Sequence, residues 1–291
     1  MSLNPKNKFS VKTAYDLTFK SVKTNPNLYL PFIIFGIVEL TALIFIFLIP
    51  RMPFVLLFGP IIRTFWRDMF LHYPYNFYLL PKLASHSRTV LSVILGSLLT
   101  GAATAMVYKV YSGKPVNLGE ALKAALKKYI LIFIVIFVVA VLFHFSAKFI
   151  AGGIANLFLE HRKLMFLKPG LWLAPFLVCL NFLLVVIFNS LFIYAIPAII
   201  VDQKKLFPAL GASFLLFKRF FFPTLCLVGV PMLIYIPLVV LNYNPEFLVR
   251  KLFPESVLLV QIAGVVLNSL IVDPIVTIST TFFYLTRKEQ A

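Results

Sequence analysis

Long apolar stretches dominate this chain and limit the structures that it can form. Only 13% of its 291 residues are charged, whereas an ordinary soluble domain has about 25%. A helix needs about 20 apolar residues to cross a membrane, where every backbone hydrogen bond must be made within the protein. The sequence therefore predicts an all-α, polytopic membrane protein that forms one integral membrane domain over residues 1–291. The six apolar segments lie near residues 28–49, 88–110, 129–150, 171–201, 220–242 and 257–285.

A second pattern occurs three times, each time just before an odd-numbered apolar segment. Apolar and small residues follow one another at steps of three and four, which is the spacing of one face of an amphipathic helix. We therefore expect three hairpin repeats, near residues 9–111, 117–202 and 205–287, each beginning with a cytoplasmic amphipathic helix. The three copies are Val11-Ala14-Tyr15-Thr18-Phe19-Val22, Leu118-Ala121-Leu122-Ala125-Leu126-Tyr129 and Leu206-Ala209-Leu210-Ser213-Phe214-Phe217.

The distribution of Lys and Arg predicts the orientation of the chain. With a cytoplasmic N-terminus, sixteen of these residues lie inside and eleven outside, and basic residues favour the cytoplasmic side. Both termini are therefore predicted to be cytoplasmic. The net charge of +17 is assigned to anionic membrane lipids rather than to nucleic acid, because Lys and Arg at the ends of membrane helices meet lipid phosphates. The expected headgroup contacts are Lys12, Lys20, Lys123, Lys127 and Lys128.

The connections on the opposite side are where the three units differ most. Residues 51–87 are rich in aromatic side chains, which prefer the headgroup level, and they predict an interfacial helix over about 54–71. Residues 151–170 are also expected to lie at the interface. In the second segment, Ser97, Gly101 and Ala105 form a ridge of small residues that favours close helix packing. Packing within the chain is favoured, while a protein partner or a second copy of the chain remains an alternative.

Polar side chains within apolar segments are rare and are candidates for function. Glu39, Asn189, Asn268 and Asp273 form the candidate intramembrane site. In one interpretation the two carboxylates face a hydrated cavity, where they could bind a cation or relay protons. In the other, which the sequence favours, they bond to the Asn side chains and hold the bundle together, since no spacing indicates a cluster.

Motifs of familiar enzymes do not occur. The sequence has no His-Glu-x-x-His metal site, no Gly-x-Ser-x-Gly turn and no Gly-rich phosphate loop. The spacing of the four His residues does not match a metal site either. The stretch 85–88, Ser-His-Ser-Arg, has side chains suited to phosphate chemistry, but it lacks partners in the sequence and is predicted to be loop. We therefore expect a protein that is not an enzyme and has no metal or cofactor.

Two stretches resemble a group of prokaryotic six-span membrane families, best known from the membrane domain of some bacterial glycerophosphodiester phosphodiesterases. The first stretch is a proline-containing span end at residues 194–202, followed by an Ala-rich helix at 209–219. The second is a final helix at residues 274–287, which has Tyr284 and Arg287 near its end. Leu285-Thr286 depart from the acidic residue usual between that Tyr and Arg. The resemblance implies a stand-alone membrane domain in the cytoplasmic membrane of a prokaryote, with no catalytic residue carried over.

Two functions follow as expectations. The first is a non-catalytic membrane protein that organises or binds lipid, or that serves as the membrane subunit or regulator of a larger assembly. The alternative is a transporter or lipid-translocating protein, with the four polar residues of the candidate intramembrane site around a central cavity. The two differ in whether Glu39 and Asp273 line one hydrated cavity or point into separate helix contacts.

Overall fold

A computed structural model describes residues 10–66, 68–146, 148–149, 152–153, 169–243 and 245–288, and every regular element in these ranges is helical. The predicted interfacial segment 151–170 lies almost entirely outside the described residues. The helices are α1 Val11–Thr24, α2 Leu30–Leu48, α3 Phe54–Trp66, α4 Asn76–Leu91, α5 Ser97–Tyr111, α6 Leu118–Lys127, α7 Tyr129–Ser146, α8 Pro169–Phe192, α9 Ala195–Ile200, α10 Leu206–Arg219, α11 Phe221–Leu233, α12 Ile236–Tyr243, α13 Pro245–Lys251, α14 Ser256–Leu267 and α15 Asp273–Lys288.

Among the described residues, five helices are long and apolar enough to cross a membrane, which is consistent with a multi-pass membrane protein. We name them after the predicted segments: span 1 Pro26–Leu48, span 2 Asn76–Tyr111, span 3 Tyr129–Ser146, span 4 Phe176–Ile200 and span 6 Ser256–Arg287. The fifth predicted segment is not one continuous helix. It is divided into α11 and α12 by a turn between Pro231 and Pro237, because proline cannot donate the backbone hydrogen bond that a helix needs. A sixth span passes the same test only when α10 and α11, which meet at 96°, are counted together.

Span 2 begins earlier than the sequence predicted. Its helix starts at Asn76 and continues through a π-helical turn at Ser92–Gly96, so the stretch 85–88 is helical and not loop. The prediction was wrong there because Lys82, His86 and Arg88 interrupt the apolar pattern without interrupting the helix. Residues 54–66 do form a helix, α3, as expected, and the shorter helical turn Asp68–Leu71 follows it.

The helices α1, α6 and α10 lie at one end of the bundle, and each packs on the end of an even-numbered span. Helix α6 packs on α5, the end of span 2, and α10 packs on α9, the end of span 4. Helix α1 packs on α15, the end of span 6, so the first helix of the chain contacts the last. Their small residues enter one common core with the three span ends. We call α1, α6 and α10 the surface helices and this part of the molecule the surface-helix end.

The second and fifth positions of the three sequence copies have similar exposure. The Ala residues at the second position, Ala14, Ala121 and Ala209, are each 0% exposed. The fifth position instead carries a large apolar side chain that points away from the core, with Phe19 58%, Leu126 64% and Phe214 54% exposed. Each surface helix therefore packs its small residues on protein and leaves an apolar residue on its outer side.

The five lysines predicted to meet lipid headgroups lie along two of these helices and the turn that follows the second. Four of them, Lys12, Lys20, Lys123 and Lys127, are exposed, and Lys128 is half-buried. An acidic residue offsets part of the positive charge at the second surface helix. The carboxylate of Glu120 accepts a hydrogen bond from Lys109 at the end of span 2, and this contact lowers the pKa of Glu120.

Proline and a tyrosine fix the position of α1 against α11. Because Pro231 has no N–H, it cannot bond the carbonyl oxygen of Leu227 one turn earlier. The hydroxyl of Tyr15 donates to the carbonyl oxygen of Cys226 at 2.9 Å and approaches that of Leu227 at 3.3 Å. Burial of the ring raises the pKa of Tyr15, so its hydroxyl remains protonated and can act as the donor.

Close packing at the surface-helix end depends on small residues in span 2. Ser97, Gly101 and Ala105, the predicted ridge, are all buried. A Cβ added at Gly101 would lie 3.2 Å from Cβ of Ala125 in α6 and 2.7 Å from Cδ1 of Ile132 in span 3. The absence of a side chain at this residue is therefore what allows a surface helix and the next span to approach span 2 within the same chain.

A second core lies at the opposite end of the bundle. Its buried residues include Leu43 from span 1, Phe77 and Leu80 from the start of span 2, Leu248 from α13, and Val265 from span 6. Spans 1, 2 and 6 and α13, which contribute to this core, also line an internal cavity.

The substitution Gly101→Val should destabilise the protein, because its branched side chain overlaps Ala125 and Ile132. Overpacking of this kind costs about 1–3 kcal/mol, and it should lower the midpoint of thermal unfolding in detergent by several degrees. Gly211→Val is the matched control, since a Cβ at Gly211 has no atom within 4 Å. Equal midpoints for the two variants would contradict the close approach described at Gly101.

Candidate charged cavity

Three charged side chains from three spans meet inside the bundle. Glu39 comes from span 1, Arg88 from span 2 and Asp273 from span 6. Nε of Arg88 lies 3.4 Å from Oε1 of Glu39, and Nη2 of Arg88 lies 3.5 Å from Oδ2 of Asp273. One guanidinium group thus bridges two carboxylates that are far apart in sequence. We call these three residues the charge triad.

A close contact between span 1 and span 6 positions Glu39. A Cβ added at Gly36 would lie 3.1 Å from Cβ of Ser269, so the missing side chain lets the two helices touch one turn before Glu39. Ser269 then donates a hydrogen bond from Oγ to Oε2 of Glu39 at 3.1 Å. Each oxygen of this buried carboxylate therefore faces a polar partner, Arg88 for one and Ser269 for the other.

Both even-numbered spans of the triad contain a π-helical turn beside their charged residue. In span 2 the turn Ser92–Gly96 follows Arg88, and in span 6 the turn Asn268–Val272 ends just before Asp273. A π-helical turn widens the helix and shifts the side chains that follow it, and such turns occur often at functional sites. In span 2 the carbonyl oxygen of Ile94 in the turn accepts hydrogen bonds from Ser97 at 2.9 Å and from the Tyr129 hydroxyl at 3.0 Å.

The predicted site is brought together only in part. Glu39 and Asp273 share Arg88, whereas the predicted bonds from the two Asn residues to the carboxylates do not form among the described contacts. Asn189 instead donates to the carbonyl oxygen of Val185 in its own helix at 2.9 Å. Asn268 is buried at the start of the π-helical turn before Asp273. The ion pairs with Arg88 take the place that the sequence interpretation gave to amide groups.

A cavity of about 590 Å³ adjoins the triad between spans 1, 2 and 6, the helix α12 and the start of α13. Glu39 and Arg88 form part of its lining, and Tyr78, Lys82 and Ser85 precede Arg88 along one face of span 2 at steps of three and four. On the other side are Tyr235, in the break between α11 and α12, and Gln261, whose amide contacts Asn242. The remaining lining is mainly apolar and includes Leu43, Ile46, Pro81, Ala84, Val239 and Val265.

Sequence reasoning missed Arg88, Lys82, Tyr235 and Asn242 as cavity residues. It placed Arg88 outside the membrane because the residues before it are polar enough to end an apolar segment. The available signal was the helical spacing of Tyr78, Lys82, Ser85 and Arg88, which continues the periodicity of span 2 toward its start. The partners of Arg88 could not be predicted, since they lie 49 and 185 residues away in the chain.

The charges at this site are not balanced by the triad alone. Two carboxylates and one guanidinium carry a formal charge of −1, and Glu39 is only 6% exposed. An unpaired charge in such surroundings is costly. The cavity lining has the opposite excess, because it includes Glu39, Lys82 and Arg88 but not Asp273. Within the described residues no group of three or more His, Cys, Asp or Glu side chains is arranged to hold a metal ion.

Comparisons with models of protein families, with curated proteins and with solved structures found no match for this chain. The fold and the site are therefore interpreted from this chain alone. They are those of a helical protein with several potential membrane-spanning helices and a charged cavity between them.

Removing the cation of the triad should destabilise the protein more than removing one carboxylate. Arg88→Gln leaves two carboxylates side by side, whereas Glu39→Gln leaves the balanced pair of Arg88 and Asp273. We expect Arg88→Gln to cost about 3 kcal/mol, the lower end for breaking a buried ion pair because the arginine is partly exposed. Glu39→Gln should change the free energy of unfolding much less.

Thermal unfolding of the purified variants in detergent measures this difference. Arg51→Gln is the matched control, because Arg51 lies over the ring of Phe47 just after the end of span 1 and belongs neither to the triad nor to the cavity lining. Equal losses for Arg88→Gln and Glu39→Gln would show that the triad does not behave as one electrostatic unit.

Proposed function

We propose that this protein is a non-catalytic membrane carrier that binds a small solute in the charged cavity and exposes it to each side of the membrane in turn. One observation supports this more than any other. Glu39 and Asp273, from opposite ends of the sequence, meet at one arginine beside a cavity of about 590 Å³. Small-molecule sites have volumes of about 300–1,000 Å³ and a mainly apolar lining with few polar groups.

The geometry of the triad suits a gate that opens and closes. Its two ion-pair distances of 3.4 and 3.5 Å are longer than the roughly 2.7–2.9 Å of strong charge-assisted hydrogen bonds. The three residues also come from three different spans, so separating them would let those spans move apart. The neighbouring π-helical turns and the break between α11 and α12 supply places where the spans can bend.

The proposal also specifies how the chain crosses the membrane and how it is divided into repeats. The helices α11 and α12 together form a sixth crossing, and the chain consists of three hairpin repeats that each begin with a surface helix. The similar exposure of the second and fifth positions in α1, α6 and α10 supports this, as does the packing of each surface helix on an even-numbered span end. With both termini cytoplasmic, the cavity opens to the outer side, because Lys82, Asn242 and Pro245 at its mouth lie away from the surface-helix end.

Cysteine labelling tests whether the cavity reaches both sides. In a background with Cys179→Ala and Cys226→Ala, the cavity variant Ser87→Cys is treated with a membrane-impermeant maleimide in sealed right-side-out and inside-out vesicles. A carrier should be labelled from both sides, since alternating access presents the cavity to each in turn.

The control for sidedness is Gly211→Cys on the exposed side of a surface helix, which should be labelled from the cytoplasmic side alone. A static cavity would give labelling of Ser87→Cys from the outer side only, and that result would contradict the carrier.

A second candidate function, the binding and organisation of anionic lipid, is supported by a separate observation. The exposed Phe19, Leu126 and Phe214 lie on the outer sides of the three surface helices, and each of these helices also carries at least one exposed lysine. Apolar side chains that enter the interface beside basic residues are typical of helices that lie on anionic membranes. This role is compatible with the carrier, because it involves the opposite end of the bundle from the cavity mouth.

Replacing Lys12, Lys20, Lys123, Lys127 and Lys128 with Gln should reduce the amount of phosphatidylglycerol that remains bound in native mass spectrometry. Each lysine near an anionic surface contributes about 1 kcal/mol, so the pair Lys123→Gln and Lys127→Gln should already lower retention. The matched pair Lys148→Gln and Lys251→Gln, both outside the surface helices, should have little effect. Unchanged lipid retention in the variant with all five substitutions would exclude this role for the surface helices.

A further inference from the structure

We infer that the cavity binds an organic monoanion, a carboxylate or phosphodiester group attached to an apolar body, and that one proton binds to Glu39 together with it. This inference rests on the proposed carrier function and names its substrate class. It comes from the charge balance of the cavity and of the triad behind it.

The charged residues of the cavity lining favour a negatively charged ligand. Of its charged residues, Lys82 and Arg88 are cationic and Glu39 is anionic, so the surface that a ligand meets has a formal charge of +1. Hydrogen-bond donors are also common, since Ser85, Ser87, the two Tyr hydroxyls and the amides of Asn242 and Gln261 all belong to the lining. A single negative group is the ligand that this surface complements.

The position of the two cations gives an order of binding. Lys82 is exposed, whereas Arg88 is half-buried, and Lys82 comes about 9 Å before Arg88 along span 2, at 1.5 Å per residue. An anion that enters therefore meets Lys82 first and Arg88 last. The apolar side chains Leu43, Ile46, Val239 and Val265 line the space beside this path, which suits a ligand with an apolar portion.

The balance of charge at the triad explains the proton. Counting Glu39, Arg88, Asp273 and Lys82, the formal charge of the site is zero. A bound monoanion changes it to −1 inside an apolar bundle, where an uncompensated charge is costly. One proton taken from solution restores zero, and it binds to a carboxylate that the incoming anion displaces from Arg88.

Glu39 is the carboxylate that takes the proton. Glu39 lines the cavity and its side chain is only 6% exposed, whereas Asp273 is not part of the lining, so an anion that enters the cavity and binds Arg88 competes with Glu39 first. Glu39 faces Arg88 from span 2, Ser269 and Asp273 from span 6, and Tyr235 from the break between α11 and α12 across the cavity, with Lys82 and Tyr78 farther along span 2. Of these, Arg88 is the cation within contact distance of Glu39. An anion bound to Arg88 weakens the ion pair between Arg88 and Glu39.

Equilibrium binding to the full-length protein in an uncharged detergent tests the ligand class. The probes are benzoate, benzyl alcohol and benzyltrimethylammonium, which share an aromatic body and differ in charge. Benzoate should bind most tightly. Arg88→Gln should weaken it on the order of tenfold to a hundredfold, Lys82→Gln should weaken it a few-fold, and Arg51→Gln should leave it unchanged.

Proton uptake in weakly buffered solution tests the coupling. About one proton should be taken up for each benzoate bound, and affinity should rise as the pH falls. In Glu39→Gln the uptake should vanish while benzoate still binds, now with little dependence on pH. This variant replaces the carboxylate that takes up the proton with a neutral amide, and it is expected to fold because Arg88 and Asp273 remain a balanced pair, so the test does not depend on the stability of Arg88→Gln.

The outcomes separate this inference from the carrier itself. Tighter binding of the cation or of the neutral probe, or binding without proton uptake, overturns the inference, while labelling of Ser87→Cys from both sides would still support a carrier. Phosphatidylglycerol in nanodiscs that displaces benzoate, when phosphatidylcholine does not, would identify the anion as a lipid headgroup. Lack of displacement would identify it as a soluble carboxylate; both results support an oxyanion site.

Discussion

A single guanidinium group between two carboxylates is the interaction on which the organisation of this bundle depends. Arg88 links spans 1, 2 and 6 inside the bundle. Charged groups are unfavourable there unless they are paired, so the three spans are held in one relative position by electrostatics as well as by packing. Because the triad has one more acid than base, its stability depends on a further positive charge, and a structural contact thereby becomes sensitive to what occupies the cavity.

The two ends of the molecule are built by different means. At the surface-helix end, small residues such as Ala14, Gly101 and Ala209 allow helices to touch, and the core there is continuous. At the other end, the long side chains of Leu43, Phe77 and Leu80 pack around an open space. Tight packing resists rearrangement, so the surface-helix end is suited to act as a base against which the cavity end can move.

Much of the helical organisation could be predicted from the sequence, because apolar length and periodicity are local properties. The small positions of the surface helices and the ridge around Gly101 lie where that pattern indicates. The triad could not be predicted in the same way. The role of Arg88 depends on partners far away in the chain, and the polar residues from Tyr78 to Ser87 have the composition of a loop although they continue a helix. The fifth segment was mispredicted for the opposite reason. Its composition is apolar throughout and indicates one continuous helix, but its prolines divide it into α11 and α12.

The contact between α1 and α15 has a consequence for how the chain is assembled. Helix α6 can pack on the end of span 2 and α10 on the end of span 4 as soon as each is made, because those partners come immediately before them. Helix α1 precedes span 1, yet the surface that buries Ala14 and Thr18 belongs to α15 in span 6. During synthesis the small-residue face of α1 therefore stays uncovered until span 6 has been made. Packing of the surface helices is completed only when span 6 is in place, so this contact reports that all the intervening spans have been inserted.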